Sequence, residues 1–270
     1  MHKDKLKKYT QANRAAWNQA MPFHQKAHSA QLDANFLHAG FNTLQQPELG
    51  QLNNLGVKGK NIAHLCCNNG VELMSLKNMG AAKCVGFDIS DEAIKEASQR
   101  ATRSNINCDY ICCDIYDIPA SYNAAFDIVY ISAGCLGWMP DLDLFFNKVS
   151  ALLNDSGTVF IHEIHPVAEM LPDDNSNEDP LTITEPYFKS EPYEENSSLD
   201  YIGKESYPAS TQYWFVWTMA NIINSAIKNR LSICQLQEYP HDVSANHRTN
   251  QNAGVSIPLS YILVAQKCKA

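Results

Sequence analysis

From Asn61 onward, short apolar runs alternate with stretches of helical period. "NIAHLCC" reads as a strand and "GVELMSLKNMG" as a helix closed by Gly80. "KCVGFDI" is a strand, and "SDEAIKEASQRATRS" is a helix with Ser90 as N-cap and acids in its first turn. "CDYICCDI" and "AFDIVYISA" are further strands. "PDLDLFFNKVSALLN" is a helix, "DSG" a turn and "GTVFIHEIH" a fifth strand. Such alternation predicts a parallel sheet with helices on both faces.

On either side the pattern is weaker. Residues 1–55 read as a polar, punctuated helical segment. Ala16, Trp17, Ala20 and Met21 share a face there, until Pro22 is expected to interrupt. Residues 166–211 are rich in Pro, Ser, Asn and Tyr and read as an insertion, with room for a hairpin. A helix is expected over "TQYWFVWTMANIINSAIKN", which would set Tyr213 and Trp217 one turn apart. The runs "LSICQLQEYP" and "SIPLSYILVAQK", joined without a helix, predict an antiparallel pair.

Composition narrows the function classes. The 270 residues are 45% hydrophobic and 19% charged, which suits one large domain with an insertion. Net charge is -8 with no basic stripe, which disfavours a nucleic-acid partner. No apolar run is long enough to span a bilayer, and no signal-peptide core follows the basic start. A cytosolic location is expected. The nine cysteines lack any C-x-x-C and read as reduced thiols rather than a metal clamp.

The candidate chemistry lies at the strand ends. In "HLCCNNGVE" the chain must turn sharply between strand and helix. Asn tolerates positive φ, Cys is small, and Gly70 opens the helix with its free N–H groups toward a ligand. Asp88, followed by Ile89, ends the next strand, where a carboxylate is able to accept from ribose hydroxyls. Asp114 ends the third strand, suited to an adenine amine, with Ile115 to cover the ring. Small residues after the fourth strand, beginning at Ser132, leave room for the ligand.

These signals, in this order, resemble the class I S-adenosylmethionine-dependent methyltransferases, in a bacterial small-molecule branch. Their first motif falls on "IAHLCCNNG", with Cys66 and Asn68 standing where the family has glycines and His64 where it has an acid. The resemblance implies a Rossmann-like seven-stranded α/β sheet with an antiparallel last strand. It also implies S-adenosylmethionine as the cofactor, Asp88 on its ribose and Asp114 beside its adenine. It implies a domain over 56–270 covered by residues 1–55, while the position of residues 166–211 after the fifth strand, with their composition, predicts a lid there. The acceptor would be a small molecule. A nicotinamide oxidoreductase would need G-x-G-x-x-G, but the positions here are Asn68, Gly70 and Leu73. A binding protein that has lost catalysis is the other alternative.

On the acceptor side, Glu163 and His165 end the fifth strand, and His165 is the candidate base. Trp138 and Tyr187 are candidates for the acceptor pocket. His162, Glu163 and His165 make no metal set. The insertion carries eleven acids and two lysines, a charge that favours neutral or cationic acceptors. Its tyrosines at 187, 193, 201 and 207 suggest a contact surface.

Overall fold

A computed structural model describes residues 3–200, 202–203 and 205–269; Tyr201 lies outside them. The N-terminal segment forms α1 (Lys3–His24), a π-helical turn (Gln25–Ser29), α2 (Ala30–Phe36) and α3 (Glu48–Leu55). Pro22 does not end α1. It removes one ladder bond near the helix end, and the chain stays helical while the next turn widens.

The alternating core follows as read: β1 (Asn61–Leu65), α4 (Val71–Asn78), β2 (Lys83–Asp88), α5 (Asp91–Arg103), β3 (Asp109–Cys112), β4 (Phe126–Ile131), α6 (Leu142–Leu152) and β5 (Leu153–Ile164). The Ser90 hydroxyl accepts from the Ala93 N–H, which makes it the expected N-cap of α5. The turn expected at "DSG" is absorbed as a register irregularity within β5.

Beyond β5 come β6 (Tyr193–Glu195), β7 (Gln212–Trp214), α7 (Met219–Lys228), β8 (Leu231–Tyr239), the single turn α8 (Arg248–Gln251) and β9 (Ser260–Lys267). The expected helix over 211–229 is overturned in its first half. Tyr213 belongs to β7 and packs on Tyr9 at 4.7 Å, while Trp217 donates through Nε1 to the Met139 carbonyl. Aromatic residues in succession favour extended chain, and the helix waits for Thr218, whose capping box with Asn221 starts it.

The main sheet has seven strands in the order β3-β2-β1-β4-β5-β9-β8. Its first five strands run parallel, and β9 lies antiparallel between β5 and β8. One face carries Ile62, Tyr130, Phe160 and Ile262, covered by Leu52 of α3 and Leu73 and Leu76 of α4. The other carries Val85, Val129, Ile161 and Leu263, covered by Phe145, Phe146 and Val149 of α6 and by Ile222 of α7. The order reverses between β1 and β4, which places the switch point there, at the carboxyl ends of both strands. No helix among the described residues is long and apolar enough to cross a membrane.

The N-terminal segment and the insertion meet over that edge. His24 Nε2 lies 2.9 Å from the Leu199 carbonyl and Phe23 stacks on Tyr207 at 4.3 Å, while just past the insertion the Asn13 side chain pairs with both backbone groups of Tyr213.

Candidate functional site

The loop after β1 turns through three left-handed residues: Cys66 (φ 55°), Asn68 (φ 46°) and Gly70 (φ 77°). Only the last position strictly requires glycine, because a Cβ there would fall 2.4 Å from the Tyr110 hydroxyl. Neighbours hold the strained loop. Asp88 accepts from the Asn68 N–H with one oxygen and the Ser90 N–H with the other, both at 2.8 Å. Arg100 donates to the Asn69 carbonyl at 3.0 Å, and Tyr110 donates to the Gly70 carbonyl.

This loop opens onto a cavity of about 1350 Å³. Single-ligand sites usually hold about 300–1,000 Å³, so there is room for two small molecules. Of the residues expected on the cofactor side, Cys66, Asn68, Asp88 and Ile89 line it, as do Asp114, Ile115 and Ser132. Burial pushes the Asp88 carboxyl up, against the backbone N–H groups that pull it down. The Asp114 carboxylate is engaged by Lys7 of α1 at 2.9 Å, a contact the sequence did not suggest.

His64 and Gly70 are off the wall. Gly70 sits behind Tyr110 at the start of α4. His64 is fully buried, with Nε2 3.0 Å from the Ser132 hydroxyl and Nδ1 without a protein partner. Burial pushes its pKa down to about 3, so the ring is neutral and supplies none of the charge an acid there would.

The acceptor side needs correction. Glu163 faces away from the cavity, and its carboxylate accepts from the backbone N–H groups of Gly134, Leu136 and Ile164. It holds the loop after β4 in place. His165 also faces away. Its Nε2 lies 2.9 Å from a Glu238 oxygen, and its Nδ1 accepts from the Val167 N–H, so neither nitrogen is free for a ligand. Strand alternation is the reason: His162 and Ile164 line the cavity, which sends 163 and 165 to the opposite face.

His162 Nδ1 is 3.4 Å from Glu48 Oε2, while Tyr130 donates to the other oxygen of Glu48. A carboxylate beside Nδ1 favours the proton there and leaves Nε2, which has no protein partner, as the lone-pair nitrogen. Trp138 is on the wall as expected. Tyr187 is not: its hydroxyl accepts from the Met219 N–H at the start of α7. Tyr193, Glu195, Gln212 and Trp214 line the cavity instead. No cluster of His, Cys, Asp or Glu among the described residues has the arrangement to hold a metal.

Comparison with known proteins decides the class. Residues 62–157 match a family model described as a methyltransferase domain. The chain carries a methyltransferase domain. A solved structure of a putative S-adenosylmethionine-dependent methyltransferase from Listeria monocytogenes superposes with a TM-score of 0.60 at 21% identity, covering 82% of this chain and 97% of that one. The Rossmann-like methyltransferase fold is thus shared over most of the domain. Among curated proteins, a tRNA U34 carboxymethyltransferase from Campylobacter lari is 25% identical over 40% of this chain and 37% of its own length. A ubiquinone biosynthesis O-methyltransferase from Neisseria meningitidis is 25% identical over 40% of this chain and 46% of its own. The match spans less than half of these curated relatives.

Glu72, in the first turn of α4, faces the cavity, and burial lifts its pKa from 4.5 to about 7, with Glu48 adding to the rise. The native state therefore binds a proton between these values that the unfolded chain has released. This stabilisation is complete below about pH 4.5 and is lost as pH rises through about 7. The shift corresponds to at most about 3 kcal/mol, less where cavity water screens the carboxylate. Glu72→Gln should flatten the urea-derived stability profile between those pH values and raise stability at pH 8. An unchanged slope would show that Glu72 titrates normally.

Proposed function

We propose that the protein transfers a methyl group from S-adenosylmethionine to a small-molecule acceptor. The observation that carries this reading is the row of groups at the switch point. The left-handed loop, Asp88 and Asp114 face one cavity in the order a nucleoside would need. Asp88 accepts from the ribose, with Ile89 beside it. Asp114 accepts from the adenine amine once Lys7 gives way, and Ile115 covers the ring. Cys66, Asn68 and Ser132 line the amino-acid end, with Gly70 behind them holding the turn. His64 acts from behind by fixing Ser132. The similar proteins support the donor: that from Listeria monocytogenes is described as dependent on S-adenosylmethionine.

The two curated relatives named above differ in acceptor, one being a tRNA enzyme and the other an O-methyltransferase of ubiquinone biosynthesis. A cavity lined by nine carboxylates supports a small acceptor over a polyanion. Nine free cysteines support work in the reducing cytosol. Residues 1–55 serve as a cover and 166–211 as a lid. The support is the contacts of His24 with Leu199 and of Phe23 with Tyr207, and the Tyr193 and Glu195 side chains that β6 turns into the cavity. His162, held by Glu48, takes the place of His165 as the group that accepts a proton from the acceptor.

Four measurements test this reading. S-adenosylmethionine and S-adenosylhomocysteine should raise the melting temperature while NAD does not. Asp88→Ala loses charge-assisted hydrogen bonds worth ~1.5–3 kcal/mol each, so calorimetry should show S-adenosylhomocysteine affinity falling at least tenfold. Unchanged affinity sinks the ribose assignment.

His162→Asn should lower kcat on an acceptor found by screening by about 100-fold or more, with donor affinity intact. The same substitution at His165 should lower it far less. A His162 variant with full rate is inconsistent with the base assignment.

Replacing 166–211 by a Gly-Ser linker should spare S-adenosylhomocysteine binding and abolish turnover. Turnover with unchanged acceptor preference would reduce the insertion to a surface loop.

A further inference from the structure

β6 and β7 form a two-stranded ribbon in which Tyr193 faces Trp214 and Glu195 faces Gln212. These four residues share one face by the two-residue period of strands, and all four line the cavity. The alternate residue Tyr213 turns the other way, onto Tyr9. The ribbon thus presents to the ligand two aromatic rings, a carboxylate and an amide.

Their surroundings are built rather than accidental. The Trp214 ring lies against Gly137 in the loop after β4, so closely that a Cβ there would be 2.2 Å from it. Its edge meets Trp138 at 4.9 Å, and Trp138 meets Trp17 of α1 at 5.5 Å. Trp214 Nε1 donates to Glu169 at 3.0 Å, and Tyr193 donates to Glu185, so both rings are fixed by carboxylates. Lys189 already sits over the Tyr193 ring, 3.8 Å from its centre, so that ring is in use as a cation platform within the fold.

Gln212 supplies an independent sign. It is 3% exposed, and its Nε2 donates to the Ser197 carbonyl, but its Oε1 is buried with no protein partner. A carbonyl oxygen only accepts, and a buried one left unpaired is costly. The missing partner is a donor. Charge says the same: nine carboxylates and a single arginine, Arg248, are the Asp, Glu, Lys and Arg side chains on the cavity wall among the described residues.

We propose that this end of the cavity is a cation subsite, and that the acceptor molecule carries an ammonium or substituted amine. The indole rings of Trp214 and Trp138 receive its alkyl groups and positive charge. Glu169, Glu195 and Gln212 Oε1 face its N–H donors or, for a quaternary group, its polarised C–H bonds. The word acceptor rests on the methyltransferase reading, but the subsite does not.

Choline and its neutral isostere 3,3-dimethyl-1-butanol separate charge from shape. Calorimetry on the full chain, with and without saturating S-adenosylhomocysteine, should show choline binding at least tenfold tighter than the alcohol. Glu195→Gln and Gln212→Leu should each weaken choline several-fold and leave S-adenosylhomocysteine affinity unchanged. Equal affinity for the two probes, or no choline binding, overturns the subsite whatever the variants do. Choline selectivity without S-adenosylhomocysteine binding would keep the subsite and overturn the methyltransferase reading. The opposite pair of results would do the reverse.

Discussion

The arrangement of the whole site depends on one buried guanidinium. Arg100 of α5 is fully buried and donates to Asp33 of α2, to Glu96 one turn back, to the Ser29 hydroxyl and to the Asn69 carbonyl in the loop after β1. It ties three pieces of chain that are distant in sequence. A charge so placed is tolerated only because its donors are met, and loss of one side of such a set typically costs about 3–5 kcal/mol. The N-terminal segment is therefore registered against the ligand loop by a directional interaction, not by apolar contact alone. Arg14, which grips Asp91 at the start of the same helix through both oxygens, extends the attachment to α1.

That attachment explains how a loop with one glycine holds its shape. Cys66 and Asn68 occupy left-handed backbone regions that usually cost about 1 kcal/mol or more for a residue with a Cβ. Asp88 fixes the Asn68 N–H from one side, and Arg100 fixes the Asn69 carbonyl from the other. The strain is offset by polar contacts that glycines would not need. Asp88 is partly committed to the loop, with each oxygen already accepting one backbone N–H. A carboxylate oxygen has two lone pairs, so capacity for ribose hydroxyls remains.

The alternating core was legible because strand and helix periods differ and because Ser90 and Gly80 punctuate them. The seven-stranded sheet with its last strand reversed also followed from the sequence, through its resemblance and its helix-free final connection, whereas the strand order came from the structure. What misled lay where a period is too short to read. Three residues of β7 show no alternation, and the aromatic run 213–217 suits a helix face as well as a strand. His165 was preferred over His162 by position alone. On a strand a one-residue change of phase exchanges the two faces, so the ligand-facing histidine is decided by registry and not by nearness to the strand end. Glu48 was missed because it reaches His162 from α3, a contact between distant segments that no local pattern encodes.

The two ends of the cavity are mechanically joined through α1. Lys7 of this helix engages Asp114 at the end read as the adenine site, and Trp17 packs on Trp138 at the end lined by the ribbon. Ten residues of helix separate them by about 15 Å. A helix bends little over that length, so the spacing of these two contacts is fixed by α1. The same helix holds the ribbon through Asn13 and Tyr213, so the ribbon face follows it. A single stiff element thus carries side chains to both ends of the cavity, and its position is set by the contacts of Arg14 with Asp91 and of Arg100 with the segment that follows α1.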